Sequence, residues 1–215
     1  MNTKTLILSY FFTMYGWTLY AQADTLTDHR DGKKYEIILI DSLWWMTQNL
    51  RLTTGDSYFP NFNKKKEQLK SGNFYPKKEV GKLCPKGWRI PTGEEWARAI
   101  VNVYNADSII TKKVEYNNSD IFQFAPENLV DFTKKNALNI KRYGWVQGNK
   151  FNYKGGTTFW LNYAYDPNYH LHFGLDGFSQ HTHQHHIEDK PKKQRKFLIR
   201  CVCSISNQND PFINN

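Results

Sequence analysis

Six of the chain's seven histidines fall between residues 170 and 186: His170, His172, His181, His183, His185 and His186. Neutral imidazole is a ligand for zinc, copper and nickel. Alternation along an extended strand puts His170 and His172 of "YHLHF" on one face. "HTHQHH" is expected as a loop leaving the sheet, near enough for His183 and His185 to join them. Asp176, Glu188 and Asp189 supply further oxygen donors. Such a segment would capture Zn, Cu or Ni weakly, and less below pH about 6.5, where imidazole protonates. The run "KPKKQRK", residues 190–196, opposes tight cation binding by like-charge repulsion. The plainer reading is a polar loop in which histidine is merely tolerated. It is preferred, and no cofactor is expected.

The cysteines are the second chemical group. Cys84, Cys201 and Cys203 are three, so they cannot all pair within one chain. Cys201 and Cys203 project from the same face of a strand, so either can reach Cys84. The sequence holds no Ser/His/Asp arrangement, no glycine-rich phosphate loop and no CxxC zinc spacing.

The elements that would position these groups are partly legible. "DGKKYEIILIDSLWWM" alternates over Tyr35–Ile40 as a strand, turns at Asp41 and Ser42, and continues as a second strand over Leu43–Met46. The lysine-rich run over residues 61–82 is expected to be a solvated basic loop. In "CPKGWRIPTGEEW", residues 84–96, Pro85 and Gly87 make a turn. Thr92 is a helix N-cap, and Glu95 three residues on completes a capping box. The helix behind it carries Trp96, Ile100 and Val103 on one face. Trp88 and Trp96 are therefore expected in the core rather than as ligand platforms. Residues 129–140, "LVDFTKKNALNI", fit a strand or a helix equally. Residues 143–165 have the glycine punctuation and aromatic alternation of short antiparallel hairpins. "RKFLIRCVCSI" is expected as one strand, with Phe197, Ile199, Cys201, Cys203 and Ile205 on one face and Leu198, Arg200 and Val202 on the other.

Composition narrows the setting. The 215 residues are 40% hydrophobic and 16% aromatic, enough for a real core. The net charge of +9 favours acidic partners. Residues 1–23 read as a secretory leader: "MNTK", then the uncharged apolar "LILSYFFTMYGWTLY", then "AQA" with small residues at Ala21 and Ala23. The apolar run is shorter than the roughly 20 residues a spanning helix needs, so cleavage after Ala23 is expected, with no transmembrane segment left behind. No cysteine stands at the cleavage point to carry a lipoprotein anchor. Export makes nucleic acid a poor partner and surface glycan a better one. With neither repeat nor long linker in view, residues 24–215 are read as one domain.

Four stretches together resemble a bacterial family, the Fibrobacter succinogenes major paralogous domain, also abundant in Bacteroidetes. They are "TDHRDGKKYEIILIDSLWWMTQNL", "CPKGWRIPTGEEW", "GTTFWLNYAY" and "FLIRCVC", in the family's order and across nearly the whole mature chain. The "CPxGWxxPTxxEW" run is the most specific of them. Departures are "FWLNY" where the family often has Trp-Ser-Ser, "LNIKRYGW" in place of a glycine-rich run, and the added Cys203. The resemblance implies an α+β, C-type-lectin-like fold of short antiparallel strands and one or two helices, near the formylglycine-generating, sulfatase-modifying enzymes. It also implies a Cys84–Cys201 disulfide, which an oxidising compartment would preserve.

Three functions are then in play. The preferred one is a non-enzymatic recognition or adhesion module outside the cytoplasm, binding a glycan or a surface protein of acidic character. A copper-type oxidoreductase is the alternative, with Cys201 and Cys203 as the only close pair; the enzyme family's cysteine spacing is not reproduced. Metal capture by the histidine segment is the third. Calcium-dependent sugar binding lacks its Glu-Pro-Asn, Gln-Pro-Asp and Trp-Asn-Asp signatures, since Pro126-Glu127-Asn128 is in the wrong order.

Overall fold

The computed structural model describes residues 23–60, 71–104, 109–116, 119–126, 137–141, 143–148, 150–152, 156–162, 169–173, 182–186 and 194–205. The strands within 109–126 and 169–186 are described by backbone placement. The expected leader lies outside these residues, except that Ala23 opens the first strand opposite Ile38.

The molecule is mixed and strand-rich, an α+β fold whose strand ladders are antiparallel. Strands β1 (Ala23–Asp28), β2 (Lys33–Ile40) and β3 (Leu43–Met46) form a meander, completed on its far side by β13 (Val202–Ser204). A second sheet is ordered β4 (Tyr75–Pro76), β12 (Arg195–Phe197), β7 (Trp145–Gln147) and β8 (Lys150–Asn152). A third is ordered β5 (Ile109–Tyr116), β6 (Ser119–Pro126), β11 (Thr182–His186), β10 (Tyr169–Phe173) and β9 (Thr157–Trp160). One 3-10 turn, Lys77–Lys82, and one α-helix, α1 (Gly93–Tyr104), complete the described elements. Among the described residues no helix is long and apolar enough to cross a membrane.

The β2–β3 hairpin follows its sequence. Ile40 pairs with Leu43 across the two-residue turn, and both Asp41 and Ser42 take positive φ, 47° and 63°. That is the backbone of a type I′ turn, whose twist matches the strands it joins. Period-2 alternation then sends side chains into two cores. Tyr35, Ile37, Trp44 and Met46 enter one; Ile38, Ile40 and Trp45 enter the other. Both faces of the meander are therefore covered.

Helix α1 starts where the capping box lies. The Glu95 N–H donates to Thr92 Oγ1 at 3.2 Å, and the Thr92 N–H donates to Glu95 Oε2 at 2.8 Å. Trp96 and Ile100 are buried and Val103 packs against the same core. The Trp96 ring lies 4.9 Å from Trp45 and 5.0 Å from Phe159.

Three expectations change. Residues 195–205 keep the expected alternation as far as Cys203, but they are two strands rather than one. Between β12 and β13 the chain crosses from one sheet to another, and the carbonyls of Leu198, Ile199 and Cys201 accept from Trp160, Leu50 and Met46. Those loose partners hold the segment extended without a continuous ladder. Ile205, just past β13, is exposed rather than part of the inward face. Second, the lysine-rich run is not solvated throughout: Ser71, Asn73, Phe74 and Tyr75 are buried, while residues 61–70 lie outside the described set. Third, Thr182–His186 is a strand, not a loop, because β6 and β10 both pair with it. Of the undecided stretch 129–140, residues 129–136 lie outside the described residues, and Leu138 and Ile140 are buried in the core without belonging to a described strand or helix.

Candidate functional site

The disulfide joins Cys84 to Cys201 across 117 residues, with the Cα atoms 5.7 Å apart. The surrounding turn explains why one short segment needs so many special residues. The Trp88 N–H donates to the Pro85 carbonyl at 2.9 Å, and Gly87 takes φ 78°, which a side chain at that position would strain. Arg89 then exchanges two main-chain hydrogen bonds with Val202, at 2.9 and 2.7 Å. Trp88 is buried with Ile90, Leu83 and Cys203 in the core behind the bridge. Trp88 and Trp96 thus both lie in the interior, one in each core.

In front of this turn an open cleft of about 660 Å³ is formed. Its lining comes from four segments brought together by the fold. The 3-10 turn supplies Lys77 and Lys78; the segment after Cys84 supplies Trp88 and Arg89; Asn162, just past β9, and Gln194, just before β12, close it. Asn162 is exposed, and its N–H donates to the Pro91 carbonyl at 2.9 Å, which ties the two walls. The Gln194 carbonyl accepts from Gly148 at 2.9 Å. No carboxylate lines the cleft among the described residues.

Arg89 and Lys78 are oriented by acids outside the lining. Arg89 forks onto Glu95, with contacts of 2.8 and 2.5 Å. Lys78 meets Asp56 at 2.6 Å. Burial pushes the Glu95 carboxyl up, but the Arg89 hydrogen bonds, the Thr92 N–H and the Arg89 charge outweigh it and hold the group below the usual range. Glu95 is thus ionised at neutral pH and fixes the guanidinium at the cleft wall. The arrangement offers N–H donors and positive charge over an apolar floor of Trp88 and Leu161. It can hold an anionic or hydroxyl-rich ligand.

Cys203 is buried and free, its Sγ–H directed to the Ser204 carbonyl at 3.4 Å. Burial pushes its thiol up, against the lowering charge of Arg89. Because the Cys201 sulfur is held in the disulfide, Cys201 and Cys203 are not a dithiol. Of the histidines, His170 and His172 lie on β10 and His183, His185 and His186 on β11; His181 lies outside the described residues. Asp176, Glu188 and Asp189 also lie outside them.

Sequence reasoning missed the cleft. Lys77 and Lys78 are indistinguishable from other lysines of a basic run, and Asn162 and Gln194 approach only through tertiary folding. It also missed Arg200, which is buried and donates to Asn49 Oδ1 at 2.8 Å and to the Leu138 carbonyl.

No curated protein and no solved structure matches the chain. A family model described as the Fibrobacter succinogenes major domain matches residues 38–203, a span that contains the disulfide, the capping box and both walls of the cleft. The chain belongs to the Fibrobacter succinogenes major domain family.

Proposed function

We propose that the protein is an exported, non-enzymatic recognition module of C-type-lectin-like fold, which binds an acidic glycan at or beyond the bacterial cell surface. The observation that carries this reading is the cleft: three cations and two side-chain amides around an apolar floor, with no carboxylate in its described lining. Its volume lies within the range of ligand-sized sites. Sugars need such a mixture, because hydroxyls take hydrogen bonds while ring faces lie on apolar surface. Acidic sugars add a charge that Lys77 and Lys78 meet. The leader-like residues 1–23 and the long-range disulfide support an extracytoplasmic site. The chain's charge of +9 would steer it toward anionic surfaces.

A glycan array probed with residues 24–215 tests this. Binding should concentrate on uronic-acid, sialylated or sulfated glycans and fall as salt rises. Lys77→Glu with Lys78→Glu should abolish it, with a melting curve to show that the variant folds, because Lys78 also pairs with Asp56. No glycan binding, together with saturable capture of an acidic surface protein through the same lysines, would move the ligand class to protein. Binding that ignores these lysines would remove the cleft from the reading.

A further inference from the structure

We infer that the β10–β11 ladder is a transition-metal site built from four histidines, separate from the cleft. The register carries it. His170 stands directly opposite His185, and His172 directly opposite His183. Opposed residues of an antiparallel pair share a face, and residues two apart along a strand share it too. All four histidines therefore lie on one face, as a two-by-two array. Directly opposed Cβ atoms are about 4.5–5.5 Å apart, and successive same-face positions about 6.6–6.8 Å. Those spacings set four histidine positions in one compact patch on a single face, the placement that a site for one transition-metal ion requires. A slip of one residue would put one His-x-His pair on the opposite face. The array thus depends on the register and not on histidine content alone.

The same register separates the remaining histidine. His186 pairs with Tyr169, which places both on the other face. The rows on either side of the array are short of competing charge. Trp160 stands opposite His170 and Thr158 opposite His172 on β9. Gln123 stands opposite His183 on β6, and Lys112 lies beyond it on β5. Lys112 is two strand spacings from His183, about 10 Å, where its charge weakens binding without blocking it. An all-imidazole set selects zinc, nickel and above all copper over calcium or magnesium, which take oxygen ligands.

The test uses residues 24–215 purified without a histidine tag. Titration with zinc chloride and nickel chloride in a calorimeter should show about one ion per chain, with micromolar affinity or better. His172→Gln with His183→Gln should weaken it by at least about tenfold, because two of four ligands are lost. His186→Gln should leave it within about twofold, because that residue is off the face. A melting curve shows whether each variant folds. Copper(II) added to the wild-type protein gives a readout that needs no variant: its electron paramagnetic resonance spectrum should show coupling to three or four nitrogens. No heat at micromolar zinc, equal losses in the two variants, or an oxygen-dominated copper spectrum would each overturn the site.

Discussion

Glu95 closes the capping box with Thr92 and forks Arg89, so one carboxylate starts the helix and sets a wall of the cleft. Asp28 plays a similar part at the first turn, where it is buried and holds Arg30 by two side-chain contacts of 2.8 and 2.7 Å. Burial pushes Asp28 up as well, and the Arg30 hydrogen bonds and charge overcome it, leaving the carboxyl below its ordinary value. Both groups are depressed on folding. Their contribution to stability is therefore fully present above the unfolded carboxylate range, about pH 4, and is lost as pH falls through the folded values. Urea unfolding should accordingly show a midpoint that is level near neutrality and drops below about pH 4. Glu95→Gln should lower the midpoint at pH 7 and by less at pH 2, because the wild-type carboxyl loses its advantage as pH falls through its depressed folded value. An equal loss at both pH values would mean that the side chain acts by packing and not by charge.

At the scale of elements, the Asp41–Ser42 turn is where sequence and backbone strain meet. Both residues take positive φ, which costs a non-glycine residue roughly 1 kcal/mol or more. Ser42→Gly should relieve part of that cost, net of the extra freedom glycine gives the unfolded chain, and stabilise by up to about 1 kcal/mol. Ser42→Val should destabilise by about 1–2 kcal/mol, because a β-branched side chain tolerates that region poorly. Thermal or urea unfolding of the two variants checks both signs. This hairpin and the start of α1 are legible in the sequence because their signals are local: alternation, two turn residues, and a Thr92–Glu95 box. The end of the chain is legible only in part. Alternation from Phe197 to Cys203 gives the faces, but it carries no mark of the hand-over between sheets, which depends on Trp160, Leu50 and Met46 as distant partners. Within "HTHQHH", Thr182–His186 fails for the same reason. Its polarity suits a loop, and only the pairing with β6 and β10 makes a strand of it.

Across the whole molecule, two cores flank the meander, and the Cys84–Cys201 bridge ties the turn before α1 to the C-terminal segment. A bridge closing so long a loop restricts the unfolded chain strongly, so Cys84→Ser should cost about 2–5 kcal/mol. Non-reducing peptide mapping of the wild type should find Cys84 linked to Cys201, with Cys203 alkylated only after denaturation. Cys84 linked to Cys203 instead would rearrange this face. The cleft rests on the bridge, because its walls come from the 3-10 turn, the Cys84–Ile90 segment and residues 161–162. It could not be read from the chain, since no pair of those walls is close in sequence beyond the first two. The most direct measurement of its role is hydrogen exchange on residues 24–215 with and without a saturating acidic oligosaccharide chosen from the array. The cleft predicts slowed exchange confined to residues 77–90, 161–162 and the stretch around 194, and none of it in the Lys77→Glu, Lys78→Glu variant. Protection elsewhere with these segments unchanged would contradict a recognition site at this cleft.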